Sequence, residues 1–236
     1  MSKLNCSKGV INISDEILYP GVKKIDKSIA RDNLKLLKKY FDDNGLKYIL
    51  AFGTLLGAIR DKDFIDHDED VDLIVFDKDK EKIYDTLFSI QEIGFSVVRN
   101  DRRGLISIMR KGEYIDLYFF SNYKSNLYYC GGILCPCQFL DNLTTIDFLG
   151  DEYYAPADYK GFLLYRYGET WETPIEWNNY SMSPIKKILH VIKEKIKICL
   201  PDWLFFKITK KTDAKLEKYF QEKVDSYYSY VKSHAL

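Results

Sequence analysis

The stretch that decides the reading of this chain is AFGTLLGAIRDKDFIDHDEDVDLIVF, residues 51–76. Seven of the twelve residues from Asp61 to Asp72 are acidic, with only Lys62 to offset them, and they run directly into Leu73-Ile74-Val75-Phe76. A run of that kind is built for burial as a strand. Strand side chains alternate, so Asp70 and Asp72 share one face while Val71 and Leu73 take the other. Next neighbours on a strand face lie roughly 6 to 7 Å apart, close enough for two carboxylates to share one cation or grip two. Further along, YIDLYFF (114–120) sets Asp116 between Ile115 and Leu117. If that strand lies beside the first, three carboxylates converge.

Like charges on a half-buried sheet face raise one another's pKa, and a bound divalent cation removes that cost. An all-oxygen ligand set favours Mg²⁺ or Mn²⁺, and Mg²⁺ commonly completes its shell with substrate phosphates. The expected chemistry is therefore phosphoryl or nucleotidyl transfer. The upstream half of the stretch agrees. Gly53-Thr54 follows a short strand, KYILAF, and precedes a short helix, TLLGAIR. Glycine lets backbone approach a ligand, and free amides at a helix start favour an anion. Thr54 adds a hydroxyl, and Arg60, one to two turns on, is in reach of a phosphate oxygen.

Ordinary explanations compete at each position. A Gly-Thr pair before a helix is often a turn and cap, and an acidic run is often a solvated loop, which suits Asp61 and Asp63. Asp116 is harder to explain that way, because an unpaired buried charge is costly. Residues 66–77 also place Asp at positions 1, 3, 5, 7 and 12 of a calcium loop, but such a loop needs Gly at position 6 and normally Glu at 12. Here those positions hold Val71 and Asp77.

Around this core the pattern is mixed. Ile29, Leu34, Leu37 and Phe41 predict a helix over residues 26–43, stopped by Asn44-Gly45. Ile83, Leu87, Ile90 and Ile93 predict a second one, closed by Gly94. FSVVRN, LISIMR and YIDLYFF read as strands, with turns at Arg102-Arg103-Gly104 and Lys111-Gly112. Past residue 120 the pattern weakens, Gly131-Gly132 and Pro136 reading as loops, until a helix over ADYKGFLLYRYG. The fold expected is α/β (α+β), a mixed β-sheet with flanking helices.

The chain has 236 residues, 46% of them hydrophobic, and equal numbers of basic and acidic residues, 35 each. That is globular composition, and zero net charge gives no support for nucleic acid as a partner. The N-terminus lacks the apolar core of a signal peptide, and five Cys is an odd count, so reduced thiols and a cytoplasmic location are expected. Cys130, Cys135 and Cys137 are spaced poorly for a zinc site. The last fifty residues read as two helices separated by Pro201. From Ser183 to Lys211 there are eight Lys against two acids, a local net of +6. Ile185, Ile188, Leu189, Ile192 and Ile196 form one helical stripe there. Two readings stay open: a basic amphipathic element making peripheral contact with an anionic membrane, or an ordinary helix packed on the domain.

FGTLLGAIRDKDFIDHDEDVDL closely resembles the signature of the LicD-type phosphotransferase family, which includes the fukutin-related proteins. YIDLYFF resembles the family's second acidic strand, and LGDEYYAPADYKGFLLYRYGETWETP its C-terminal element; together the likeness spans roughly residues 28 to 177. His67 departs from the Trp common there. The resemblance implies a nucleotidyltransferase-like fold over residues 1–180, followed by a helical extension over 181–236. It implies a Mg²⁺- or Mn²⁺-dependent transferase moving a phospho-alcohol group, such as phosphocholine or ribitol phosphate, from a CDP-linked donor to a hydroxyl of a cell-surface glycan, free or lipid-linked, with release of CMP. By position, Asp70, Asp72 and Asp116 are implied as catalytic metal ligands, with Asp116 also a candidate general base. Gly53, Thr54 and Arg60 would bind substrate phosphate, with Asp68, at the loop end of the family's acidic repeat, at the substrate site behind the metal ligands. Tyr118–Phe120 and Tyr153-Tyr154 are candidate aromatic contacts to the head group, and Tyr165, Tyr167 and Trp171 could line the acceptor groove or hold the final helix to the sheet. The rival enzyme transfers a nucleotide from a nucleoside triphosphate to a small molecule or RNA. The non-enzymatic rival is a cation-binding or interaction module.

Overall fold

Asp26 accepts hydrogen bonds from the amides of Ser28 and Ile29, and this N-cap launches α1 (Lys27–Asp43). Its apolar stripe, Leu34, Leu37 and Phe41, is fully buried. These and the following elements come from a computed structural model that describes residues 2–18, 23–175 and 183–234. The boundary expected at 180/181 and the last two positions of the 28–177 likeness lie outside the described residues.

The chain then crosses a mixed sheet. In order along it come β3 (Tyr48–Leu50), α2 (Phe52–Arg60), β4 (Val71–Phe76), α3 (Lys80–Ile90), β5 (Ser96–Asp101), β6 (Leu105–Arg110) and β7 (Glu113–Tyr123). An N-terminal hairpin, β1 (Lys3–Cys6) and β2 (Gly9–Asn12), packs beside α3. Gly94, at φ +92°, ends the α3 segment. Two tight turns set the register of β5, β6 and β7. At the second, Lys111 and Gly112 both have positive φ (53° and 81°), the backbone that joins antiparallel strands through two residues.

Past residue 120 the structure is more regular than its sequence suggests. Leu127–Cys130 and Ile133–Pro136 form a hairpin, β8 and β9, on the distal half of β7. After the short α4 (Cys137–Asp141), Leu143–Phe148 and Asp151–Pro156 form another, β10 and β11. The expected loops at Gly131-Gly132 and Pro136 are thus the turn and the end of one hairpin. These strands are short and partly exposed, so they carry no apolar run to announce them. The main path runs β10-β11-β3-β4-β7-β6-β5, with β11–β3 and β4–β7 parallel and the other pairs antiparallel. The 66–77 segment is strand from Val71 onward, which removes the calcium-loop reading.

α5 (Tyr159–Tyr167) closes at Gly168, and two helices follow, α6 (Pro184–Cys199) and α7 (Asp202–His234). α7 buries Phe220, Val224 and Tyr227. Tyr227 packs on Phe139 and Tyr165, with ring centroids 5.2 and 6.3 Å apart. Tyr165, buried and donating to the Leu134 carbonyl, therefore holds the final helix rather than lining a groove. Cys130 and Cys135 are buried free thiols on β8 and β9, and no metal-ligating group forms around them among the described residues.

Candidate active site

The parallel register of β4 and β7 sets Asp72 opposite Asp116. The antiparallel register of β6 continues the row with Ser107 opposite Asp116, and that of β5 adds Arg99 opposite Ser107. Residues directly opposite one another point to one face. One line of polar side chains thus crosses four strands. Asp70 lies two residues before Asp72, just ahead of β4. Oxygen atoms of Asp70, Asp72 and Asp116 all lie within 4.8 Å of one another.

The acidic run divides by partner, which answers why so many carboxylates crowd there. Asp61 takes the Arg60 guanidinium, Nε to Oδ1 at 2.7 Å and Nη2 to Oδ2 at 2.8 Å. Asp63 and Asp66 share the Lys27 ammonium, at 3.0 and 2.6 Å. Asp68 turns back onto the start of α2, and its buried Oδ2 has no hydrogen-bond partner. A Cβ built on Gly53 would meet that oxygen at 2.5 Å. Asp70 and Asp72 carry on to the cluster.

Burial, then the charges of Asp72 and Asp116, pushes the Asp70 carboxyl well above the ordinary carboxylate range. Burial, then Asp116 and Asp68, does the same to Asp72, against the counter-pull of Arg166 and a hydrogen bond with Tyr118. Burial also pushes Asp68 up, to about 6, with the Glu69 charge adding to it. Asp116 is raised by burial less freely, because Arg99 and Ser107 favour its charged form. Arg99 Nη2 donates to Asp116 Oδ2 at 2.6 Å and its Nε donates to Ser107 Oγ at 2.8 Å, while Ser107 donates to Asp116 Oδ1. Three converging carboxylates, Asp72 and Asp116 buried and Asp70 half-buried, with so little cationic relief suit a divalent ion with hard oxygen ligands.

Of the other residues singled out in the sequence, Gly53 sits in the first turn of α2, whose N-terminus has no side-chain cap. Thr54 is fully buried, and its hydroxyl oxygen accepts from the Asp72 amide at 2.8 Å. It ties α2 to β4 and is turned to the backbone. Arg60 is engaged by Asp61 at the far end of α2. Tyr153, buried, and Tyr154, half-buried, both pack on Tyr48 beyond β3; Tyr118 is the aromatic candidate that favours the charged form of Asp72. Sequence reading missed Ser107, Arg99 and Arg166. The two hairpin turns would have yielded the first two, since folding the chain about them pairs Arg99 with Ser107 and Ser107 with Asp116. Arg166 sits 4.3 Å above the Phe52 ring and 4.7 Å from that of Phe220, a meeting of three helices that no local pattern encodes. Phe52 itself holds φ +43° at the head of α2, a strained state for a bulky residue.

A mixed sheet bearing paired strand aspartates beside a helix with Gly-Thr in its first turn is the arrangement expected of a nucleotidyltransferase-type domain. Residues 45–158 match the LicD/FKTN/FKRP nucleotidyltransferase domain. It is 27% identical over 169 residues to the ribitol-5-phosphate transferase FKTN of Mus musculus, covering 66% of this chain and 36% of that protein. It is 26% identical over 185 residues to the uncharacterized protein RP689 of Rickettsia prowazekii (strain Madrid E), covering 73% of this chain and 64% of that one. The chain therefore spans between about a third and two thirds of these relatives' length. Among solved structures, the antibiotic-resistance factor ANT(2'')-Ia in solution is 11% identical with a TM-score of 0.46, over 88% of this chain and 100% of that one. That likeness is too distant to bear on function.

Proposed function

We propose that this chain transfers a phospho-alcohol group, of the phosphocholine or ribitol phosphate kind, from a CDP-linked donor to a glycan hydroxyl, with release of CMP. The observation that carries the reading is the in-register pair Asp72–Asp116 on adjacent parallel strands with Asp70 beside it, within the residues that match the LicD/FKTN/FKRP nucleotidyltransferase domain.

Asp70, Asp72 and Asp116 would hold Mg²⁺ or Mn²⁺. When bound, the ion would neutralise charge on the diphosphate bridge and on the departing CMP. Asp116 serves as a ligand held in one orientation by Ser107 and Arg99. Both of its oxygens are already engaged by Arg99 and Ser107, so the acceptor's proton is left to solvent. Phosphoryl transfer through a loose transition state asks for alignment and charge neutralisation more than for a strong base. The uncapped amides at the start of α2 would receive a donor phosphate oxygen, approached over Gly53. Thr54 fixes the distance between that helix start and Asp72. Arg99 and Arg166, at either side of the cluster, would offer positive charge to the donor once the cation relieves their carboxylate partners. Arg60, held by Asp61, would contribute at most to the rim.

The test is a panel of CDP-alcohols with Mg²⁺ and candidate surface glycans, scored for CMP. CMP release that requires acceptor and is lost in Asp70→Ala, with folding retained, supports the reading. Silence across the panel, with pyrophosphate released from a nucleoside triphosphate, moves the assignment to nucleotidyl transfer by the same carboxylates. Metal binding without turnover of any donor would leave a cation-binding module. Near-normal turnover in Asp70→Ala removes the metal role.

A further inference from the structure

Helix α6 is mounted inside out. An amphipathic helix normally turns its apolar stripe to the core. Here Ile185, Ile188, Leu189, Ile192 and Ile196 face solvent, at 72, 59, 59, 49 and 55% exposure, and no residue of the helix is buried. The polar side does the fastening. His190 and Glu194 line a cavity of about 410 Å³ shared with Arg99 and Arg102. The His190 ring nitrogen Nε2 lies 3.1 Å from the Leu18 carbonyl. Arg102 donates to the carbonyls of Lys197 and Leu200 at the end of the helix. The apolar exposure continues into α7, where Trp203 is 68% and Ile208 56% exposed.

The charge around this surface is one-sided. Residues 183–211 carry a net +6 while the whole chain is neutral, so the remainder carries −6. Lys186, Lys193 and Lys195 are exposed beside the stripe, as are Lys207, Lys210 and Lys211 beyond it. A second copy of the chain docking by the same face would bring +6 against +6. An anionic lipid surface offers the complement to both features at once: phosphates for the lysines and an acyl boundary for the isoleucines. No helix among the described residues is long and apolar enough to cross a membrane, so the contact is one of lying on the surface.

We propose that α6, with the first turns of α7, docks on an anionic lipid surface, the isoleucine stripe entering the headgroup–acyl boundary and the flanking lysines meeting lipid phosphates. The proposal is independent of the transfer chemistry.

Vesicle flotation of the full chain tests it, with phosphatidylcholine alone and with phosphatidylcholine containing phosphatidylglycerol. Binding to the anionic vesicles is expected to exceed binding to the neutral ones by at least about tenfold and to weaken as salt rises. Trp203 emission should shift to the blue on binding, a shift absent in Trp203→Phe. Ile188→Ser with Ile192→Ser should lose binding at unchanged melting temperature, since both side chains already face water. Lys186→Glu with Lys193→Glu and Lys195→Glu should erase the preference for anionic lipid. Absence of flotation with anionic vesicles at low salt overturns the proposal. So does a dimer, seen by sedimentation at micromolar concentration, that Ile188→Ser with Ile192→Ser dissolves, because the stripe then belongs to a second copy.

Discussion

Gly53 and Asp68 meet where helix start and acidic run come closest. Gly53→Ala adds a methyl at 2.5 Å from Asp68 Oδ2, so the carboxylate must move. Alanine in place of a helical glycine contributes up to about 1 kcal/mol of helix propensity. Thermal stability should therefore change little, while turnover falls on the order of tenfold or more. Equal losses in both would mean that the close approach is only structural. The carboxylates themselves set the pH response. Asp68, Asp70, Asp72 and Asp116 all have raised folded-state pKa values. The folded protein then binds more protons than the unfolded chain above about pH 4, so stability falls as pH rises through that range. For Asp68 the loss runs from the ordinary carboxylate value, 3.8, to about 6; the other three shift in the same direction. The metal-free protein should thus melt at progressively lower temperature from about pH 4 to pH 6, and Mg²⁺ should flatten the slope by binding the charged forms. Melts with chelator and with Mg²⁺ across that range check both halves. A chelator curve that rises with pH would contradict the clustering.

The join between α2 and β4 is where an element, rather than a single side chain, shapes the site. The Asp72 amide is buried and its partner is the Thr54 hydroxyl. Thr54→Val keeps the shape but removes the acceptor, leaving that amide unsatisfied at a cost of about 1–3 kcal/mol. Thr54→Ser should recover most of it. Chemical denaturation measures the stability, and a turnover loss in the Val variant larger than its unfolded fraction would show that the α2 start has shifted against the aspartates. Element by element, the chain is legible where burial leaves a period. The buried stripe Leu34–Leu37–Phe41 predicts α1, and continuous apolar runs predict β4 and β7. The turn residues at Arg102–Gly104 and Lys111-Gly112 delimit β5 and β6. The Asp72–Asp116 face follows from strand alternation once the two strands are taken as neighbours. Legibility fails for the hairpins β8–β9 and β10–β11, whose short strands are stabilised by the sheet they extend rather than by a pattern of their own. It fails also for Arg166, whose place depends on where α5 meets α7, while for Tyr165 the sequence leaves two roles open and that meeting decides between them.

That meeting governs how far the molecule divides. The sequence suggests a catalytic unit over residues 1–180 with a helical extension, but the two helices of the extension behave differently. α6 touches the body through polar side chains and leaves its apolar stripe in water. α7 inserts Phe220, Val224 and Tyr227 into the core, against Phe139, Tyr165 and Arg166. Through Arg166 the helix reaches the charge balance of Asp72. Losing a buried aromatic costs about 3–5 kcal/mol, and the whole stability of a domain is about 5–15 kcal/mol. A chain truncated after Pro201 should therefore not fold cooperatively, even though every cluster carboxylate remains. The expected signs are lost near-UV circular dichroism, retained far-UV signal and binding of a hydrophobic dye. Phe220→Ala in the full chain is the graded version: a loss of about 3–5 kcal/mol in chemical denaturation, with the Mg²⁺-induced rise in melting temperature diminished because Arg166 loses one of the two rings that seat it. If the truncated chain instead melts cooperatively within a few degrees of the full one, the catalytic unit ends before α7, and the helix is an appendage that happens to pack.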